Sequence, residues 1–257
     1  MGNREPKFNA VISSDWSECL SPSGPFDFIA WNFPQLRASL DEVFRAYTGN
    51  RISLGAACDR VRQSLPEPVT AEMMDAYLDR EFAVYRGVPE LIEWCRGQGV
   101  LFMLNTTGMI GYFQRVFAKG LLPRVPAISA NPLVRYPGGP ADPGTILELA
   151  ETADKGKNTA ALAAAEGIPA GRVVVMGDSG GDGPHFEWAH RAGAIAVGSM
   201  TKASLDGWCR ERGIPIRVRF GRVYGPGETR SLSEEMAVDF RGLIPIIAEI
   251  LAPPAGR

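Results

Sequence analysis

The sequence predicts an α/β fold in which helices cover both faces of a parallel sheet, with a small all-helical insert after the first strand. Three observations predict it. Short apolar runs at 8–14, 100–104 and 173–176 have the pattern of strands buried on both faces, as in a parallel sheet. From Val88 onward strand and helix patterns alternate, which means βαβ units joined by right-handed crossovers. The stretch from about Phe28 to Arg86 has helical periodicity and no β segment.

Taken in order, residues 8–14 form the first strand and deliver Asp15 at its tip, and the turn-rich residues 16–25 leave the sheet as a loop. In the insert Leu36, Leu40, Val43, Phe44 and Tyr47 recur at helical spacing, 52–65 is a second helix, and 70–78 a third with Thr70 as its N-cap. Residues 88–98 form an amphipathic helix that Gly99 stops. The strand 100–104 runs into Asn105-Thr106-Thr107-Gly108, 109–119 is helical, 127–129 a short strand, 131–144 a proline- and glycine-rich loop, and 146–150 a short helix or turn. An alanine-rich helix opens at Lys155-Gly156-Lys157 and reaches Glu166. After the strand 173–176 come a helix over 186–192 ended by Gly193, a strand over 194–197, an alternating edge strand over 216–220 and an apolar helix over 243–251.

Composition removes several classes of function. The chain has 257 residues, a net charge of -2, 45% hydrophobic and 22% charged residues, the profile of an ordinary globular protein. There is no basic excess for a nucleic-acid partner and no apolar run able to span a bilayer. The first seven residues lead into a strand rather than an apolar leader. Cys19, Cys58, Cys95 and Cys209 are scattered without metal-like pairing, which fits reduced thiols in a cytoplasm. The only histidines are His185 and His190, poor support for a His triad or a zinc site. Nothing in the sequence sets the oligomeric state.

Parallel strands bring their carboxyl ends to one edge, where ligands of open α/β sheets bind. Asp15, Thr106, Asp178 and Asp182 all lie at or just after such ends, and Lys155 opens the helix before the Asp178 strand. The run Gly177-Asp178-Ser-Gly-Gly-Asp182 alone fits either an acidic surface turn or a pair of carboxylates around a hard cation such as Mg²⁺. Together the residues make a kit for phosphoryl transfer. A carboxylate can form an aspartyl-phosphate, a hydroxyl and an ammonium can hold the phosphoryl oxygens, and a carboxylate-held Mg²⁺ lets one anion approach another.

On these residues the chain resembles the haloacid dehalogenase superfamily, over about 5–20 and 88–200. The resemblance implies a Rossmann-like core (1–22 and 87–257), a C1-type helical cap (23–86), and a Mg²⁺-dependent phosphohydrolase of a small phosphorylated metabolite. Asp15 matches the nucleophile, and Asp15, Ser17, Asp178 and Asp182 match the metal-binding positions. Thr106 matches the hydroxyl of the second motif, with Thr107 as a near alternative, and Thr107 and Gly108 fall at the substrate. Lys155 matches the third-motif lysine; Lys157 is the other candidate, by default a solvated helix-start residue.

The first motif departs from the pattern. The family's phosphatases carry a second Asp two residues after the nucleophile, as acid and later base; here that position is Ser17, followed by Glu18 and Cys19. Serine is a poor proton donor near neutral pH. Two alternatives therefore accompany the phosphohydrolase: a phosphate-binding protein with little turnover, and a carbon–phosphorus or carbon–halogen hydrolase using the single Asp. Against the last, Lys7, Lys119, Lys155, Lys157 and Lys202 are the only lysines and none lies in the insert to form a Schiff base. His185, Trp16, Trp31 and Cys19 read first as packing residues, and Arg37, Arg45, Arg51, Arg60 and Arg62 as solvated helix positions of which one or two can line the site.

Overall fold

The computed structural model describes residues 8–49 and 51–252; residues 1–7, expected to enter the first strand without an apolar leader, and 253–257 lie outside them. Strand β1 (Ala10–Ser14) is followed by α1 (Asp27–Asn32), α2 (Arg37–Thr48), α3 (Leu54–Ser64) and α4 (Ala71–Glu81). Then come α5 (Val88–Gly97), β2 (Val100–Met109), α6 (Ile110–Ala118), β3 (Ala127–Asn131), β4 (Thr145–Glu148) and α7 (Asp154–Ala165). The chain continues through β5 (Val173–Gly177), α8 (Gly183–Ala192), β6 (Ile195–Thr201), α9 (Ala203–Glu211), β7 (Val218–Val223), α10 (Leu232–Met236) and α11 (Leu243–Ile250).

The strands form one seven-stranded sheet in the order β4-β3-β2-β1-β5-β6-β7, parallel throughout. The α/β prediction holds for the reason that made it. The central strands β1, β2 and β5 are buried at every residue, so their sequences are apolar on both faces rather than alternating. On one face Ile12, Phe102 and Val174 pack with α5, α6 and α11; on the other Val11, Leu101, Val173 and Val175 pack with Leu162, Phe186 and Leu205 of α7, α8 and α9. Register then fixes the site. Ser14 pairs with both Leu104 and Met176, so Asp15 after β1, Asn105 and Thr106 within β2, and Asp178 after β5 fall at one edge.

The edge strands were harder to foresee. Residues 146–150 are not a short helix or turn: β4 is an edge strand paired with β3 through Ala127–Thr145 to Ala130–Glu148. Its half-exposed Thr-Ile-Leu-Glu is too short for any period to show, and the pairing is supplied by β3. Strand β2 also runs on to Met109, with a register shift against β3 after Asn105. Helices α1 and α9 carry no strong sequence signal and are additions to the reading.

Helices α1–α4 bury Ile29, Leu40, Leu54, Val61 and Met74. Ser53 and Thr70 cap α3 and α4 by accepting the Ala56 and Met73 amides, as the Thr70 signal predicted. These helices lie over the sheet edge. Asp75 accepts two hydrogen bonds from Arg115 of α6 (2.8 and 2.7 Å), and Glu151 accepts the Leu54 and Gly55 amides at the start of α3 (3.0 and 3.1 Å). The link from α4 to α5 is held by the C-terminal segment. Tyr85 stacks on Phe240 with centroids 5.8 Å apart, and the Phe240 amide donates to the Arg86 carbonyl. Gly87 has φ +83°, and a Cβ there would lie 2.5 Å from the Arg241 amide nitrogen, so no side chain fits. No described helix is long and apolar enough to cross a membrane.

Candidate active site

Asp15 follows β1 with its amide donating to the Met176 carbonyl (3.0 Å), which ties Asp15 to the end of β5. One of its carboxylate oxygens accepts the Trp16 amide (2.7 Å) and the other faces Lys155 Nζ at 3.1 Å. Lys155 Nζ also lies 2.5 Å from Asp182 Oδ1. The second oxygen of Asp182 accepts the amides of Asp178 (2.9 Å) and Ser179 (3.4 Å), closing the loop after β5 on itself. Gly177 is required here, because a Cβ on it would sit 2.5 Å from the Asp182 carboxyl carbon. Asp15, Lys155 and the Asp178–Asp182 loop, three separate places in the sequence, thus form one buried cluster.

A polar network inside the fold aims the lysine. Asn105 donates to Ser13 Oγ (3.0 Å), to Thr159 Oγ1 (3.0 Å) and to the Lys155 carbonyl (2.9 Å). His185 Nε2 is 3.1 Å from Thr159 Oγ1 and its ring stacks on Trp188. The first turn of α7 is therefore pinned to β1, β2 and α8. Lys157 instead pairs with Asp154 at the surface (2.9 Å), so the geometry selects Lys155 of the two.

Burial and charge oppose each other throughout the cluster. Burial pushes the Asp15 carboxyl up to about 6, with Lys155 pulling it back down and Asp182 adding to the rise. Asp178 is pushed well above the usual carboxylate range by burial and by the neighbouring Asp182 and Asp15. Burial acts on Asp182 in the same direction, but Lys155 and the Asp178 amide hold it below its ordinary value. Burial would lower the Lys155 ammonium, yet Asp15 and Asp182 keep it above its ordinary range.

Among the other predicted positions, Ser17 is buried beside Asp15 and no described protein group hydrogen-bonds its hydroxyl. Thr106 accepts the Gly108 amide (3.0 Å), and Thr107 is buried next to it. Glu18 has a left-handed backbone (φ 59°) and its carboxylate is held by Lys202 and by Arg230 (2.9 Å). Cys19 is buried, and burial followed by Asp15 pushes its thiol well up, which fits the packing role.

Two residues that sequence reasoning left out reach the site. Lys202, just after β6, comes within 2.7 Å of Asp178 Oδ2; the strand-end logic applied to Asp178 would have flagged it, had β6 been followed past 197. Tyr47 of α2 brings its phenol to the cluster, and its only signal was a place in an apolar stripe.

The donor set fits a divalent cation. Asp15, Asp178 and Asp182 each offer a carboxylate oxygen, all within 4.8 Å of one another, and an all-oxygen set suits a hard ion. Asp178 Oδ2 accepts no hydrogen bond and has the Lys202 ammonium 2.7 Å away, so a divalent ion there would share or take over the oxygen that Lys202 now faces.

No protein family model matches the sequence, and no curated protein does. Solved structures do resemble it. A phosphoserine phosphatase carrying a phospho-aspartyl intermediate analogue superposes with a TM-score of 0.64 at 15% identity, covering 93% of this chain and 99% of the other. A substrate-bound phosphoserine phosphatase gives 0.66 at 16% identity, covering 93% and 98%. A HAD family hydrolase from Salmonella enterica serovar Typhi gives 0.59 at 16% identity, over 83% and 68%. At such identities the likeness is one of fold: this chain has the fold of the haloacid dehalogenase-type hydrolases.

Proposed function

We propose that the chain is a Mg²⁺-dependent phosphohydrolase of a small phosphorylated metabolite, working through an aspartyl-phosphate on Asp15. The observation that carries this reading is the buried Asp15–Lys155–Asp182 arrangement, with Lys155 Nζ 3.1 and 2.5 Å from the two carboxylates, at the carboxyl edge of a parallel sheet. Asp15 attacks phosphorus. Lys155 and the Thr106 and Thr107 hydroxyls hold the phosphoryl oxygens, the Gly108 amide fixes Thr106 by donating to it, and Asp182 keeps Lys155 in place from behind. Asp15, Asp178, the Ser17 carbonyl and Asp182 are the residues to hold Mg²⁺, which when bound offsets the charge of nucleophile and phosphate. The cluster is buried under α1–α4, so substrate enters by cap opening and closure excludes water. Cytoplasmic residence accords with four free, buried cysteines.

Ser17 favours a second reading, a phosphate-binding protein with little turnover. One experiment separates the two: hydrolysis of a panel of phosphate monoesters, acyl phosphates and phosphonates with and without Mg²⁺, alongside Asp15→Asn. Metal-dependent phosphate release that the variant loses supports the enzyme. A silent panel, with Mg²⁺ and phosphate still bound, sinks it in favour of recognition.

A further inference from the structure

Lys202 brings a second ammonium to the aspartate cluster. Its amide donates to the Asp178 carbonyl (2.7 Å), which fixes the end of β6 against the loop after β5, and its Nζ lies 2.7 Å from Asp178 Oδ2. On its other side the same Nζ contacts a Glu18 carboxylate oxygen. The second Glu18 oxygen faces Arg230 (2.9 Å). Arg230 is itself fixed, donating to both oxygens of Glu235, to the Pro22 carbonyl and to the Tyr85 hydroxyl. Arg230, Glu18, Lys202 and Asp178 thus form a row of alternating charge that runs from the C-terminal segment into the site.

The three aspartates divide two lysines between them: Lys155 lies against Asp15 and Asp182, and Lys202 against Asp178. A divalent ion taking one oxygen from each aspartate, all within 4.8 Å of one another, draws on the carboxylate that Lys202 faces. Two cations that close in a buried site repel with little screening, so Lys202 has to yield. It need not be driven into water. Glu18 is already in contact with it, and Arg230 keeps that carboxylate aimed. Glu18 holds φ 59°, a backbone uncommon for any residue but glycine, with both carboxylate oxygens engaged. Lys155 has no such retreat, because each of its two partners belongs to the same set of ligands.

Resting on the reading of Asp15, Asp178 and Asp182 as ligands of a divalent cation, we propose that Lys202 is a built-in competitor of that ion at Asp178, and that Glu18, aimed by Arg230, is the partner that draws Lys202 away. Together the pair sets the affinity of the site. While Lys202 leans on Asp178 an incoming ion meets a positive charge; once Lys202 turns wholly to Glu18, Asp178 is free to coordinate. Glu18 is thus a positioning residue, acting on the ion through Lys202 alone.

Calorimetric titration of Mg²⁺ into the chelator-treated full chain at pH 7 tests this without any turnover. Groups that hold a metal's ligands typically move its affinity about 10–100-fold, so Lys202→Met should tighten Kd by that much and Glu18→Gln should weaken it by as much. A general change of charge would give the same two signs, and the double variant decides between them. With Lys202 gone, Glu18→Gln should change Kd less than about threefold, whereas independent charges would add and return Kd to near that of the unaltered protein. A folding defect in Glu18→Gln would weaken binding in both backgrounds and is excluded in the same comparison. Lys157→Met, which removes an equal charge from the surface pair with Asp154, should leave Kd unchanged. Unchanged or weaker binding in Lys202→Met, additive effects in the double variant, or an equal shift in Lys157→Met overturns the roles of Lys202 and Glu18. No uptake of Mg²⁺ by the unaltered protein and by Lys202→Met alike overturns the metal reading itself.

Discussion

Lys155 Nζ lies 2.5 Å from Asp182 Oδ1 with both side chains almost wholly removed from water. Removing one partner of a buried ion pair leaves the other charge uncompensated, at a cost of about 3–5 kcal/mol. Lys155→Met should lose that much stability at pH 8 in urea denaturation, and recover part of it at pH 5.5 as the stranded carboxylates protonate. A loss under about 1 kcal/mol at both pH values would show that Lys155 is not what offsets the cluster.

Asp178 is paired with Lys202 (2.7 Å) rather than with Lys155. Its pKa is raised in the folded protein by burial, then Asp182 and Asp15. A carboxyl raised on folding favours the fold below its unfolded pKa, and that favour is lost as pH rises through the folded value. At pH 8 without metal, ionised Asp178 therefore destabilises. Asp178→Asn should raise the Tm of the metal-free protein by about 2–4 °C for each kcal/mol relieved. It should also abolish the Mg²⁺-induced rise, which for an unaltered site at 100 times Kd is worth about 2.7 kcal/mol. Calorimetry with and without Mg²⁺ reads both; a variant that still gains Tm from Mg²⁺ refutes Asp178 as a ligand.

His185 gives the opposite pH dependence. Burial, then Lys155, lowers its pKa to about 3, against about 6.5 unfolded. Below pH 6.5 the unfolded chain takes up a proton that the folded one refuses, so stability falls from 6.5 toward 3. By pH 5 this amounts to about 2 kcal/mol. His185→Gln, which keeps a partner for Thr159, should narrow its stability gap to the unaltered protein by that amount between pH 7.5 and pH 5. A gap independent of pH means that His185 does not resist protonation.

Glu151 accepts the Leu54 and Gly55 amides (3.0 and 3.1 Å) and so joins the segment leading into the helix of Lys155 to the start of α3. Loss of a helix-start acceptor costs about 1 kcal/mol, and here it also loosens the cap. Glu151→Ala should speed hydrogen exchange at Leu54 and Gly55 several-fold while amides of β1 and β5 keep their rates. Unchanged exchange at both positions refutes the latch.

The sheet and most of the kit were legible because the same pattern encodes both. A strand buried on two faces is apolar over most of its length, and the carboxylates that follow β1 and β5, Asp15 and Asp178, fall at the sheet edge. Strand β4 was not, since Thr145–Glu148 is half exposed and becomes a strand only by pairing with β3. Glu18 could be named as a neighbour, but its left-handed backbone and its capture by Lys202 and Arg230 depend on segments far along the chain.

By itself the sequence determined the α/β architecture, the ends of β1 and β5 and the three carboxylates that follow them, because burial and backbone period act locally and leave their mark residue by residue. Only the tertiary structure decided which of Lys155 and Lys157 meets Asp15, that Lys202 stands beside Asp178, and that Tyr47 reaches the cluster from the cap. Those are meetings across 24 to 140 residues, set by strand register and by how α2 rests on the Gly180–Gly181 loop, and no local pattern records a contact whose partner lies elsewhere.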